Sequence, residues 1–387
     1  MRLPLSAAAI CCALASTPGM SDATRPRTHF PTRPEQPAPS NRVETDVDRP
    51  LAWLIAAQND DGSWGDGARS QAPDVATTSL AGIALLRLGH TGSRGEFQAS
   101  TRRALQYVIA AVERAPADQI AVQGPGTLPQ RKLGRNIDTF VAAQFLSEAL
   151  PTLPHELAGP ASAALANCVR RIERAQTADG SFAKDGWAPL LSSAFAANGL
   201  HAAATAGAAV DGKKLARADA NLMGKYDERT KSFDLSDSAG VPLYSAAASA
   251  IASARVQEAK PGSEEASREM QRKAKAVAAG AGEQLSNDRL LRGYGTYGGE
   301  EHVSYMMTAE AKAIAGGGEF AEWSKQMRLR LASIQREDGT WRGDHCITST
   351  TFCTAASLIT LAVQPRTSGS CGASCSTSGV KSGSKKT

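Results

Sequence analysis

The stretch Leu54-Ile55-Ala56-Ala57-Gln58-Asn59-Asp60-Asp61-Gly62-Ser63-Trp64 decides how this chain is read. It runs from an apolar helix end through Gln and three further residues to Gly, a hydroxyl residue and an aromatic. The same order returns in Ile172-Glu173-Arg174-Ala175-Gln176-Thr177-Ala178-Asp179-Gly180-Ser181-Phe182 and in Leu331-Ala332-Ser333-Ile334-Gln335-Arg336-Glu337-Asp338-Gly339-Thr340-Trp341. Weaker copies stand at Gly126-Thr127-Leu128, Lys231-Ser232-Phe233 and Gly295-Thr296-Tyr297. The six markers begin at 62, 126, 180, 231, 295 and 339, about 55 residues apart on average, and each interval fits two helices and their connections.

Patterning between the markers separates two helix types. Before each lies a charged amphipathic stretch: 49–58, 97–114, 160–176, 212–225, 264–286 and 319–335. After each lies a stretch of small and apolar residues: 75–88, 137–150, 189–205, 241–255, 302–315 and 347–362. A helix that is apolar or small all round is a buried one. Six outer–inner pairs follow, which either stack as an open solenoid or close into a ring. Within the marker, Gly permits a tight turn, the Ser or Thr is expected to cap the next segment, and the aromatic covers the junction between repeats.

Over residues 50–363 this pattern resembles the repeat of squalene and terpenoid cyclases and of the protein prenyltransferase β subunit. The resemblance implies an all-α fold, an (α/α)6 toroid with six inner helices inside six outer ones. It also implies that Gln58, Gln176 and Gln335 tie an outer helix to its neighbour, and that Trp64, Phe182 and Trp341 pack against the adjacent repeat. These are scaffold residues, so the resemblance speaks to fold more than to activity.

In such a ring all six inner N-termini open at one mouth, where free N–H groups and helix dipoles favour negative charge. The candidate ligand-binding residues near those starts are Arg135, Asp138, Glu300, Glu301, His302, Asp344 and His345, with Asp74, Asn136, Asp185, Trp187, Asp237 and Cys346 around them. Each carboxylate there also reads as an ordinary helix cap. The densest group is Gly299-Glu300-Glu301-His302 with Gly343-Asp344-His345-Cys346, at equivalent places in the last two repeats. His302, His345 and Cys346 have the residue types of a zinc site with an open position. Protein prenyltransferases hold zinc through an Asp-x-Cys pair and a His from a later inner helix. Asp344-x-Cys346 matches that pair, but no inner helix follows it, so His302 of the preceding repeat is the substitute. The glycine-rich zinc pattern of those enzymes and the Cys-His-Gly string of lanthionine-forming cyclases are both missing.

Three further motifs fail. Asp46-Val47-Asp48-Arg49 lacks the last Asp of the Asp-x-Asp-Asp acid of class II cyclases, Gly280-Ala281-Gly282-Glu283-Gln284 has Ala where a thioester needs Cys, and no Asp-Asp-x-x-Asp box occurs. The inner stretches supply few aromatic faces for carbocations: Phe140, Phe145, Phe195, Tyr244, Tyr305 and Phe352. Three readings follow, in descending order. The first is a toroid binding an apolar or peptide-like ligand at the inner-helix N-terminal mouth. The second is a zinc-dependent transferase or cyclase using Asp344, His345, Cys346 and His302. The third is a carbohydrate-active (α/α)6 enzyme using carboxylates such as Asp138 and Glu301.

The ends carry the charge. The net +5 of the 387 residues resides in the tail 364–387 (+4) and Arg2, and the body 51–363 is neutral. A neutral body argues against nucleic-acid binding. No apolar run reaches about 18 residues, so no transmembrane segment is expected. Residues 1–20, apolar from Leu3 to Ala15 with a small-x-small site at Ala13-Leu14-Ala15, read as a signal peptide for export to a periplasmic or extracellular location. The alternative is a start at Met20 and a cytoplasmic protein. Residues 21–49 read as a Pro-rich disordered linker and 364–387 as a disordered Ser/Gly/Lys tail. Beyond the leader, Cys168, Cys346, Cys353, Cys371 and Cys375 are an odd, scattered set and make no disulfide framework. No protein partner is implied.

Overall fold

The computed structural model describes residues 47–182, 184–259, 265–292, 296–316 and 318–364. The leader, most of the 21–49 linker and all but the first residue of the tail lie outside these. The small-residue stretches form α2 (Val75–Arg87), α5 (Ile137–Ala149), α7 (Pro189–Thr205), α9 (Pro242–Glu258), α12 (Gly299–Ala315) and α14 (Thr350–Ala362). The charged stretches form α1 (Asp48–Ala56), α3 (Gln98–Arg114), α6 (His155–Ala175), α8 (Gly212–Met223), α10 (Glu265–Leu285) and α13 (Gly318–Ile334). Two short helices, α4 (Leu128–Leu133) and α11 (Asp288–Leu291), and a two-stranded hairpin, β1 (Tyr226–Asp227) with β2 (Ser232–Phe233), occupy connections.

The inner helices close a ring: α2 packs on α5, α5 on α7, α7 on α9, α9 on α12, α12 on α14, and α14 back on α2. The fold is an all-α (α/α)6 toroid. Burial follows the two patterns. Every residue from Val75 to Leu85 of α2 is buried, as is every residue from Thr351 to Leu361 of α14. In α6 only a stripe is buried, including Leu157, Ala161, Ala164, Leu165, Cys168 and Ile172, so one face packs and the other meets solvent. Small residues let the inner helices approach. A Cβ on Gly82 would lie 2.3 Å from the ring of Phe145 on the next inner helix. The inner-helix aromatics Phe140, Phe145, Phe195, Tyr244, Tyr305 and Phe352 are all fully buried and pack the barrel.

The marker builds the same junction each time. Gln58 Nε2 donates to Gly62 O (2.9 Å) within its turn and to Ser100 O (3.0 Å) of the next outer helix. Gln176 does the same with Gly180 O (3.3 Å) and Lys214 O (2.8 Å). Gln335 Nε2 donates to Gly339 O at 2.7 Å. Gly62, Gly180 and Gly339 take φ of +88°, +88° and +83°, and a Cβ on Gly62 would sit 2.4 Å from Arg103 O, so only glycine fits. In the degenerate fourth copy Lys231 takes the left-handed position at +52°.

The aromatic then spans both layers. Trp64 Nε1 donates to Leu54 O (2.7 Å) at the outer-helix end, and Trp64 N donates to Thr78 Oγ1 (2.8 Å) on α2. Trp341 repeats this with Leu331 O (2.9 Å) and Thr354 Oγ1 (3.1 Å), and Phe182 N donates to Ser193 Oγ (3.2 Å).

Thr127 of the second marker caps α4 as expected, accepting from Gln130 N, but in the three strong copies the hydroxyl differs from expectation. It closes its own turn against the Asp two residues earlier: Ser63 Oγ on Asp61 (2.6 Å), Ser181 Oγ on Asp179 (2.8 Å) and Thr340 Oγ1 on Asp338 (2.6 Å). Helix α2 is capped by Asp74, which accepts from Thr77 N, and α14 by Ser349, which accepts from Phe352 N. Helix α12 starts three residues before the expected 302, because Glu301 reaches back to accept the Gly298 N–H at 2.6 Å. The seam between last and first repeats is closed by Thr350 N (2.9 Å) and Ser349 Oγ (3.0 Å) on Asp66 O, and by Thr351 Oγ1 on Gly67 O (3.0 Å). Among the described residues no helix is long and apolar enough to cross a membrane.

Replacing Trp341 by Phe keeps most of the ring volume and removes one indole hydrogen bond at a fully buried site. We expect a loss of about 1–3 kcal/mol in unfolding free energy by denaturant titration, against about 3–5 kcal/mol for Trp341→Ala. No loss in Trp341→Phe beside the full loss in Trp341→Ala would show that packing alone, and not the bridge, holds the junction.

Candidate functional site

At the N-terminal end of the inner helices the candidate carboxylates Asp138, Glu300 and Glu301 are buried, and Asp344 is not. Asp138, on the first turn of α5, is fully buried. Its Oδ2 accepts from Val122 N (3.0 Å) and Gln123 N (2.9 Å), and its Oδ1 from Thr139 N (2.8 Å). Arg171 of α6 grips the same connection through Ala115, Pro116 and Gln119 carbonyls at 2.6–3.0 Å. Burial pushes the Asp138 carboxyl up to about 7, against the opposing pull of its backbone donors. Arg135 is exposed and pairs with Asp185 Oδ2 at 3.1 Å.

The expected neighbours of the last two repeats do meet. Gly298 and His345 form a parallel bridge, Gly299 N donates to Ile347 O (2.9 Å), and Asp344 N donates to Tyr297 O (2.6 Å). Glu300 is fully buried; its Oε2 accepts from Ile347 N at 3.2 Å, and its Oε1 has no hydrogen-bond partner. Burial raises its carboxyl to about 7. Glu301 is held at both oxygens, Oε1 by Tyr244 OH (2.6 Å) and Oε2 by Gly298 N (2.6 Å). His302 points into the barrel, 2.9 Å from Ser357 Oγ through Nδ1, and burial lowers its pKa to about 4. Asp344 is exposed, and His345 and Cys346 are half-buried. Cys346 adopts a left-handed φ of +52°, and burial, then Glu300, raises its thiol pKa.

Among the described residues no group of three or more His, Cys, Asp and Glu side chains stands close enough to hold a metal ion. His302 is buried inside the barrel while Asp344 faces solvent, and no metal-dependent step is derived. Asp138 and Glu301 stand on α5 and α12, opposite each other in the ring order, and Asp138 is occupied by three backbone donors.

Open space lies at both ends. On the N-terminal side a cavity of about 290 Å³ is walled by Val241, Pro242, Leu243 and Leu290, with Asn287 and Arg289 exposed at its rim and Glu301 lining it. On the opposite side a cavity of about 390 Å³ is lined by residues from the last turns of all six inner helices or just beyond them. That end was not anticipated. There Arg87 meets Glu148 through two bonds (2.6 and 2.7 Å) and Glu310 at 3.3 Å. Burial alone would lower the Arg87 pKa, and Glu148, then Glu310, outweigh it and raise it. The signal was present in the sequence: Arg87, Gln144, Glu148, Arg255 and Glu310 interrupt otherwise small, apolar stretches near their C-terminal ends.

The two buried acids make stability depend on pH. Their ordinary values are 3.8 and 4.5, and in the fold both lie at about 7. Between those limits the folded chain keeps protons that the unfolded chain releases, so this contribution favours unfolding as pH rises through the window. Melting temperature followed from about pH 4.5 to about pH 7.5 is expected to fall less steeply in Glu300→Gln than in the unsubstituted protein. An unchanged slope would mean that Glu300 ionises alike in both states.

No protein-family model matches the chain, and no curated protein matches it. Among solved structures, the apo form of the type II terpene cyclase MstE from Scytonema is similar: 15% identity over 83% of this chain and 97% of that chain, with a TM-score of 0.49. A single-residue variant of MstE in complex with its substrate geranylgeranyl dihydroxybenzoate is similar at 13% identity, over 83% and 96%, with a TM-score of 0.47.

Proposed function

We propose that the protein binds a small ligand with an apolar body at the N-terminal end of the barrel, between α9, α11 and Glu301. The observation that carries this is the about 290 Å³ cavity whose walls are aliphatic and whose polar groups sit at its rim and at Glu301. That volume stands near the lower limit of pockets that enclose small molecules, about 300–1,000 Å³. Val241, Pro242, Leu243 and Leu290 would gain by covering carbon, at roughly 25 cal/mol per Å² removed from water. Glu301, its oxygens oriented by Tyr244 and Gly298, offers a rigid acceptor to a ligand hydroxyl or N–H. Arg289 at the rim favours a ligand whose exposed end is anionic. An extended peptide would need a row of backbone partners, which aliphatic walls do not provide, so an apolar chain or ring is favoured. The apolar Leu3–Ala15 segment supports binding outside the cytoplasm, and a native N-terminus at Met20 would overturn that part.

The test is fluorescence titration with anilinonaphthalene sulfonate, an apolar probe with an anionic end. We expect saturable uptake near one equivalent, weakened about tenfold or more by Leu290→Arg, equivalent to about 1.4 kcal/mol. Val241→Asp, at the half-buried opposite wall, serves if the first variant melts early. Absence of saturable uptake by the unsubstituted protein, or undiminished affinity in a folded variant, would sink the reading.

A further inference from the structure

The cavity at the other end of the barrel has a different chemistry. It is a polar mouth of about 390 Å³, with residues at or beyond the C-terminal ends of all six inner helices in its lining. Each helix C-terminus carries roughly half a negative charge, and six of them converge here. The charged lining adds Glu148, Glu258 and Glu310 against Arg87 and Arg255, which leaves the mouth negative overall. Arg87 does not reverse this, because its guanidinium is committed to Glu148 and Glu310.

A second observation is independent of charge. Gln144 lines this cavity, is only 3% exposed, and its Oε1 has no hydrogen-bond partner. Its Nε2 donates to Glu148 Oε1 at 3.0 Å. A carboxylate only accepts, so the amide nitrogen must face Glu148, and the atom left over must be the carbonyl oxygen. A buried acceptor without a donor costs about 1–3 kcal/mol. It is satisfied by a ligand that brings an N–H or O–H, and beside Glu148 and Glu310 a charged N–H donor is favoured over a neutral one.

We propose that this C-terminal mouth is a second binding site, for a small organic cation whose ammonium group donates to Gln144 Oε1, near the Glu148 and Glu310 carboxylates that Arg87 bridges. His201, held by Asp219 through Nε2 at 3.0 Å, forms part of the wall, and exposed Glu258 stands at the outer edge and meets the cation first. The site stands apart from the apolar cavity, at the opposite end of the inner helices, and does not depend on it.

The experiment is isothermal titration of the full chain with putrescine, and with butanediol as the uncharged isostere. Expected are saturable putrescine binding below about 1 mM, no heat from butanediol, and about a tenfold loss in Gln144→Leu. Glu258→Gln, at the exposed edge where folding is not at stake, is expected to weaken binding by a smaller factor. Anilinonaphthalene sulfonate uptake should be unchanged in both variants, which separates failure at this end from failure at the other. No putrescine binding, equal binding of butanediol, or full affinity retained in both variants would each overturn the proposal.

Discussion

The indole of Trp341 reaches from one layer of the ring to the other. Its ring N–H ends the outer helix α13 by donating to Leu331 O, and its backbone N–H is held by Thr354 on the inner helix α14. Trp64 makes the same bridge between α1 and α2. Each outer helix end leaves carbonyls that must find donors, and each inner helix offers only small side chains. A large flat ring with one donor at its edge solves both problems at once. At the first and third junctions Gln58 and Gln176 then fasten the outer helix to the next, so that layer and circumference are set there by one short motif.

Closing the ring with small residues fills the lumen. Six inner helices drawn close enough for Gly82 to touch Phe145 leave their aromatics fully buried. Open space is pushed to the two ends, and the two ends differ because helices have direction. At the start of the inner helices, acids are drawn in by free N–H groups and buried beneath connections, beside an aliphatic cavity. At their finish, carbonyl ends meet a network of Glu, Arg and Gln in a wetter mouth. A single parallel arrangement of helices therefore gives one molecule two chemically unlike openings.

The marker made the fold legible. Gln, Gly and Trp at constant offsets can be seen without knowing any contact, and they located nearly every helix to within a few residues. Helix α6 begins at His155, five residues before the expected 160; two smaller exceptions have local causes: Gly298 and Glu301 pull α12 forward, and Ser349 delays α14 until Ile347 O has bonded Gly299 N. The meeting of residues 298–302 with 343–347 was also legible, as equivalent positions in adjacent repeats. What was not legible is which carboxylates the connections would cover. Asp138 and Asp344 look alike as acids near helix starts, yet one is sealed by residues 115–123 and the other is exposed. That difference depends on Arg171, far along the chain, gripping the covering segment. The charged mouth escaped notice because Arg and Glu near helix ends are ordinary in isolation, and only the ring brings six such ends together.

The seam between the last and first repeats has a kinetic side. Ser349 Oγ bonds Asp66 O across a separation of 283 residues, so the step that completes the circle is also the most distant in sequence. A chain made from its N-terminus builds five repeats before α14 exists. During that interval the flank of α2 that α14 will cover stays exposed to whatever the cell offers. Long-range closure of this kind is slow, and exposed apolar surface invites wrong partners. The ring thus places its greatest risk of misassembly at the closing of its sixth repeat, on a thirteen-residue helix that must pack on α12 and α2 at once.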